Sequence, residues 1–243
     1  MKLVKSLIAG ASLLAASQTM AVTVSGVTWD ESFDGQNADF TGVGSFEQNL
    51  VAGQGELSEV PTLELEGFGI MGIMNDRNGD FCLSCQNLTY TFTDFTAIAF
   101  DGGGRPTDFT GGFINVYKDY DVIAPTTIGE ASDGDLWLTL QAVTLNDTLT
   151  TLSLTYVDAT NKVYSAAAFD VVSGVAAYNF DTDSKVWGSG ETSKIVDFLF
   201  DGSITFLETS GSITLKGESI PVPAPLALLG LGLVALGLRA RKA

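Results

Sequence analysis

The hydrophobic pattern of the chain has a period of two. In Leu88-Thr89-Tyr90-Thr91-Phe92-Thr93 a large apolar residue stands at every second position, which lays one apolar and one polar face along an extended strand. Residues 113–120, Leu136-Trp137-Leu138-Thr139-Leu140, Leu152-Ser153-Leu154-Thr155-Tyr156 and residues 198–206 repeat the alternation. Clusters of glycine, aspartate and asparagine divide these runs at Asn78-Gly79-Asp80, Asp101-Gly102-Gly103-Gly104, Asp133-Gly134-Asp135 and Asp201-Gly202. Between the two ends no segment carries a convincing helical stripe, and no repeat of fixed period is present. The pattern predicts an all-β fold: a single antiparallel domain, β-sandwich or jelly-roll-like, of about ten to twelve short strands. Residues 31–59, rich in glycine, asparagine and glutamine with weak periodicity, read as a looser preface to the sheet.

The two ends follow different rules. Lys2 and Lys5 introduce an almost wholly apolar run over residues 7–16, and Gln18-Thr19-Met20-Ala21 follows before Val22. A basic start, a short apolar centre and small residues at the cut make residues 1–21 a secretory signal peptide, cleaved between Ala21 and Val22. The alternative, an N-terminal anchor helix, has an apolar run too short to span a bilayer comfortably.

Residues 221–243 divide into Pro221-Val222-Pro223-Ala224-Pro225, thirteen consecutive apolar or glycine residues at 226–238, and Arg239-Ala240-Arg241-Lys242-Ala243. The alternating prolines hold the first part extended and remove its amide donors. The apolar run predicts a short hydrophobic helix of about 20 Å, less than the roughly 30 Å hydrocarbon core. The basic end, Arg239, Arg241 and Lys242, marks a cytoplasmic side and leaves the bulk of the chain outside.

Val222, Pro223, Ala224 and Pro225, the Leu/Gly/Ala run and the closing basic cluster together resemble a PEP-CTERM sorting tail, the segment also catalogued as the ice-binding-protein C-terminal domain. The resemblance covers the tail alone. It implies export in a Gram-negative bacterium and transient retention in the inner membrane. It also implies processing near the proline motif by an exosortase, a membrane cysteine protease, and a destination at the cell surface or in the extracellular polysaccharide matrix. Ala224 stands where the family's usual Val-Pro-Glu-Pro has glutamate, which leaves the processing enzyme open. A tail anchor that is never cut is the alternative. The stretch from Gly112-Phe113-Ile114-Asn115-Val116-Tyr117 through Leu136-Trp137-Leu138 also resembles β-rich domains of flocculation-associated exported proteins, without assigning any residue a role.

Composition narrows the chemistry of the 22–220 domain. The 243 residues include no histidine and two cysteines, which excludes a Ser-His-Asp triad, a Cys-His dyad, an imidazole metal site and a four-thiolate zinc site. All 29 acidic residues and only seven basic ones lie between the signal peptide and the proline motif, a net charge of −22. That charge repels nucleic-acid backbones, keeps an extracellular protein soluble and attracts cations.

Cys82-Leu83-Ser84-Cys85 is expected to form a disulfide in an oxidising location. A straight strand would hold the two Cα atoms about 10 Å apart, so the bond requires a turn across Leu83-Ser84. A redox CxxC would open a helix, whereas a threonine-rich strand follows here. Asp76-Arg77-Asn78-Gly79-Asp80 has the spacing with which a calcium loop begins, without the later bidentate glutamate, and an acidic hairpin turn uses the same residues. Asp133-Gly134-Asp135 and Asp181-Thr182-Asp183 could add oxygens at a sheet edge. Apart from calcium, no cofactor is expected. Asp101-Gly102-Gly103-Gly104-Arg105-Pro106 lacks the helix and Gly-Lys-Ser/Thr of a phosphate cradle and reads as a loop. Threonine rows at Thr89, Thr91 and Thr93, and at Thr151, Ser153 and Thr155, would bind sugars or ice if flat and exposed, and are also ordinary strand residues.

The expected function is therefore that of an exported, non-enzymatic cell-surface or matrix protein associated with exopolysaccharide, biofilm or flocculation. Two alternatives stand beside it: a glycan-, calcium- or ice-binding module, and a carbohydrate-active enzyme built on paired carboxylates.

Overall fold

A computed structural model describes residues 21–30, 40–52, 63–75, 77–78, 81–82, 85–121, 123–144, 148–189, 193–205 and 210–220. The expected signal peptide up to Met20 and the whole 221–243 segment, with the expected sorting motif and basic end, lie outside the described residues. The strands are β1 (Ala21–Val24), β2 (Val27–Asp30), β3 (Phe40–Ala52), β4 (Leu63–Met74), β5 (Arg77–Asn78), β6 (Asn87–Phe100) and β7 (Pro106–Asp119). They continue as β8 (Asp135–Ala142), β9 (Leu152–Val157), β10 (Lys162–Ser173), β11 (Lys185–Trp187), β12 (Lys194–Val196), β13 (Phe198–Thr205) and β14 (Ser210–Gly217). Two single-turn helices, α1 (Ile128–Ala131) and α2 (Ala177–Phe180), interrupt them.

The all-β antiparallel expectation holds, and the two faces expected of a sandwich are opposite walls of one closed sheet. The strands run β13-β14-β3-β4-β6-β7-β8-β10, and β10 pairs back onto β13 from Lys162↔Thr205 to Phe169↔Phe198. The stave between β7 and β10 is built in two pieces. β8 pairs with the C-terminal parts of both neighbours, and β9 pairs with Asp108 and Phe109 of β7 and with Lys162 to Ala167 of β10. Closure leaves this main sheet without the two exposed edges that an open one presents.

Several staves are longer than expected. Phe40–Ala52 forms one of them, so this part of the supposed loose preface is a wall strand. Its periodicity is weak because glycine fills inward positions. A Cβ on Gly42 would meet the Met71 sulfur at 2.6 Å, and one on Gly44 would meet the Tyr90 ring at 3.1 Å. Asp201-Gly202, expected to separate strands, lies within β13. There Gly202 faces Ser165 of β10.

Bulges bend the staves and re-aim single side chains. Between the pairs Tyr117↔Leu136 and Val116↔Leu138, β8 carries Trp137 as an extra residue, and Trp137 is fully buried. That bulge breaks the simple alternation read at residues 136–140.

Trp137 joins Trp29, Phe40, Phe180 and Phe198 in an aromatic plug at one end of the barrel. Trp29 lies 4.8 Å from Phe180 and 6.0 Å from Trp137, and Phe40 lies 4.9 Å from Phe180, between ring centroids. Both indoles are satisfied: Trp29 Nε1 donates to Ser219 Oγ at 2.9 Å, and Trp137 Nε1 donates to the Val24 carbonyl at 3.2 Å. The β1–β2 hairpin supplies Trp29. The last described residues are tied to the same end, where the Ile220 amide donates to the Asn179 carbonyl at 2.7 Å and Lys185 pairs with Glu218 at 2.6 Å. The described residues thus begin and end at the plugged end.

Candidate functional site: an apolar cavity at the other end of the barrel

An eight-stave barrel is about wide enough for its side chains to fill it or for one small ligand to enter. Here the two halves differ. Away from the plug, the inward positions line a cavity of about 240 Å³ that is partly open to solvent. Its walls come from Phe46 of β3, Leu65 of β4, Tyr90, Phe92 and Phe95 of β6, and Phe109 and Ile114 of β7. Pro106 of β7, Leu152, Leu154 and Tyr156 of β9, Val163 and Phe169 of β10, Phe200 and Ile204 of β13 and Ile213 of β14 supply the rest of the apolar lining. None of the described residues lining it carries a formal charge.

Glycines make room for these rings. A Cβ on Gly69 would stand 2.7 Å from the Tyr90 ring, and one on Gly112 would stand 2.2 Å from the Phe95 ring. The Tyr90 phenol therefore crosses β4 and donates to the Ser45 carbonyl at 2.8 Å, and burial pushes its pKa well up. Three hydroxyl residues also line it: Ser203, bonded to Ser212 at 3.0 Å, and the exposed Thr205 lie on the outward register of β13, and Ser165 differs from both. It sits on the inward register of β10 between Leu154 and Gly202, and its hydroxyl has no hydrogen-bond partner among the described residues.

At the cavity end of the barrel the β6–β7 turn forms an ordered charge cluster. Asp101 Oδ1 accepts from the Gly103 and Arg105 amides, both at 2.9 Å, which fixes the turn. Arg105 Nε meets Asp101 at 2.5 Å and Nη1 meets Asp158 at 2.9 Å. The guanidinium carbon lies 4.5 Å from the centroid of the Tyr156 ring, a cation–π contact. Tyr156 in turn donates to the Pro106 carbonyl at 2.9 Å, and burial raises its pKa. The two carboxylates raise the Arg105 pKa, Asp158 more than Asp101, and the Arg105 amide is the main cause that lowers Asp101. With one cation between two anions, the cluster is net negative. The loop read at residues 101–106 is thus a tight hairpin turn.

No family model, curated protein or solved structure matches this chain.

The sequence-predicted positions fall elsewhere. Cys82 and Cys85 are disulfide-bonded with Cα atoms 5.5 Å apart, close enough to require a turned backbone. This bond sits beside β2, where Cys82 bridges to Val27, on the plugged side. Of the calcium-loop candidate, Asp76, Gly79 and Asp80 lie outside the described residues, while Arg77 and Asn78 pair with β4 as a short hairpin. Among the described residues no cluster of three or more acidic or thiol groups is placed to hold a metal ion. Asp135 accepts from the Tyr120 hydroxyl at 2.8 Å, and Asp197 accepts from the amides of Val171, Thr182 and Asp183, which gives that carboxylate a structural role.

The threonine rows do not form flat exposed faces. Thr89 and Thr91 are buried, with Thr89 donating to the Ala131 carbonyl because α1 packs over this part of β6. Thr151 is buried as well and donates to the carbonyls of Phe109 and Gly111. Of the expected cut site, Ala21 begins β1 and Val22 is buried under the plug hairpin.

Proposed function

We propose that this protein is an exported, non-enzymatic binding barrel. It is delivered by residues 1–21, held in the inner membrane by residues 221–243 until an exosortase-type protease acts near Val222-Pro223-Ala224-Pro225, and retained at the cell surface or in the exopolysaccharide matrix. In that setting the domain sequesters a small hydrophobic molecule inside the barrel. The observation that carries this reading is the uncharged apolar cavity of about 240 Å³ inside an otherwise strongly acidic protein. An apolar void forfeits packing contacts, and a ligand that fills it regains them. The cavity lies at the far end of the barrel from Ile220, so a membrane-held tail leaves the cavity end pointing away from the bilayer.

The test is a fluorescence titration with 1-aminonaphthalene, a neutral probe of about the cavity's size, on the mature protein and on Leu154→Trp, with Ile204→Phe as a second filling variant. Saturable one-to-one binding lost in the folded filling variants supports the reading. Absence of binding, or equal binding by the filled barrels, overturns it.

A further inference from the structure

The cavity also carries information about which hydrophobic molecule it accepts. Three observations bear on this: its size, the charge of its surroundings and the one inward-facing hydroxyl on its wall that lacks a hydrogen-bond partner among the described residues. This inference rests on the binding-barrel reading and deepens it.

A cavity of 150 Å³ lined by aliphatic and aromatic groups accommodates benzene, so 240 Å³ suits a ligand of roughly ten non-hydrogen atoms. Its walls offer no charged side chain to replace the hydration of an ionised headgroup, and burying an unpaired charge there is strongly unfavourable. Neither cation at this end is part of the wall: Arg105 already meets two carboxylates and a tyrosine ring, and Lys162 is exposed at the start of β10. The Arg105 cluster is itself net negative, so its guanidinium is not open to an anion. Ser165 is different. The alternation of β10 turns its side chain inward with Val163 and Ala167, and a Cβ on Gly202 opposite would stand 2.2 Å from its Oγ. The hydroxyl fills the place of that missing Cβ on the cavity wall, where it can donate one hydrogen bond and accept another.

We propose that the cavity binds one uncharged molecule with an apolar body and a single hydroxyl or carbonyl group, which hydrogen-bonds to Ser165. A medium-chain alcohol, aldehyde or ketone has this chemistry, and the corresponding carboxylate does not.

The experiment is competition against bound 1-aminonaphthalene at neutral pH by 1-octanol and by octanoate, which share a chain and differ in charge. Displacement by 1-octanol at a concentration at least 100-fold below that needed for octanoate is expected. Ser165→Ala should weaken 1-octanol by about fivefold while leaving ethylbenzene, which has no polar group, unchanged. Octanoate competing as well as 1-octanol would overturn the charge selection. An equal loss for 1-octanol and ethylbenzene in Ser165→Ala would overturn the anchoring role. In both cases the barrel still binds the probe, whereas failure of the probe to bind at all removes the underlying reading with it.

Discussion

The Tyr90 ring lies over Gly69: a methyl group at residue 69 would stand 2.6 Å from the phenol oxygen and 2.0 Å from the Ser45 carbonyl oxygen to which that phenol donates. Glycine on β4 is therefore the space that a tyrosine on β6 occupies. Gly69→Ala is expected to destabilise the domain by about 2–3 kcal/mol through overpacking against backbone. Tyr90→Phe, which loses only the hydrogen bond, should cost about 1 kcal/mol. Urea midpoints measure both, and a Gly69→Ala midpoint at or above that of Tyr90→Phe would contradict the packing argument.

The same relationship explains what could be read from the chain and what could not. β6, β7, β9 and β13 announce themselves because bulky residues alternate with polar ones along them. β3 and β4 hide because Gly42, Gly44 and Gly69 hold inward positions whose apolar content comes from Met71 and Tyr90 on neighbouring strands. Closure of the barrel depends on pairing Phe169 with Phe198, a through-space fact with no local signature. The cavity was equally invisible. Leu154, Phe200 and Ile213 alternate as core residues do, and only the placement of all the walls reveals that they leave a void. The disulfide, by contrast, was legible from spacing and compartment.

Asp170 carries a buried carboxylate oxygen with no partner among the described residues. Its pKa is raised, first by burial and then by the charge of Asp197, with smaller contributions from Asp183 and Asp181. The folded protein thus holds this proton more tightly than the unfolded chain. The resulting stabilisation is complete below the unfolded pKa and is lost as pH rises through the raised folded value. Asp170→Asn should raise the urea midpoint at pH 7 by the equivalent of less than about 1 kcal/mol, because the side chain is partly solvated. It should have no effect below about pH 3. A lowered midpoint at pH 7 would mean that the ionised carboxylate is favourable.

The Cys82–Cys85 bond closes a short loop beside the β1–β2 hairpin. Constraint of so short a loop in the unfolded chain contributes about 2 kcal/mol. Reduction, or the double change Cys82→Ser and Cys85→Ser, should lower the urea midpoint by that amount and leave probe binding intact, since the bond lies on the plugged side. Loss of probe binding in a folded reduced protein would contradict this separation of the two ends.

The proposed sorting role of residues 221–243 makes its own prediction. Intact mass of the protein recovered from outside the cell should end near Val222 to Pro225, with no membrane pool, and a version truncated after Glu218 should bypass the membrane stage. A full-length tail retained in the inner membrane would instead indicate a simple anchor and a periplasmic binding domain.

The central claim is a dry, ligand-accessible space within the barrel, and diffraction from crystals of the mature protein under xenon pressure tests it most directly. The account predicts one xenon peak between Phe95, Phe169 and Leu154, because an apolar cavity of this size takes up such an atom without ordered water. A cavity occupied by hydrogen-bonded waters, or side chains collapsed into it with no xenon bound, would contradict the account.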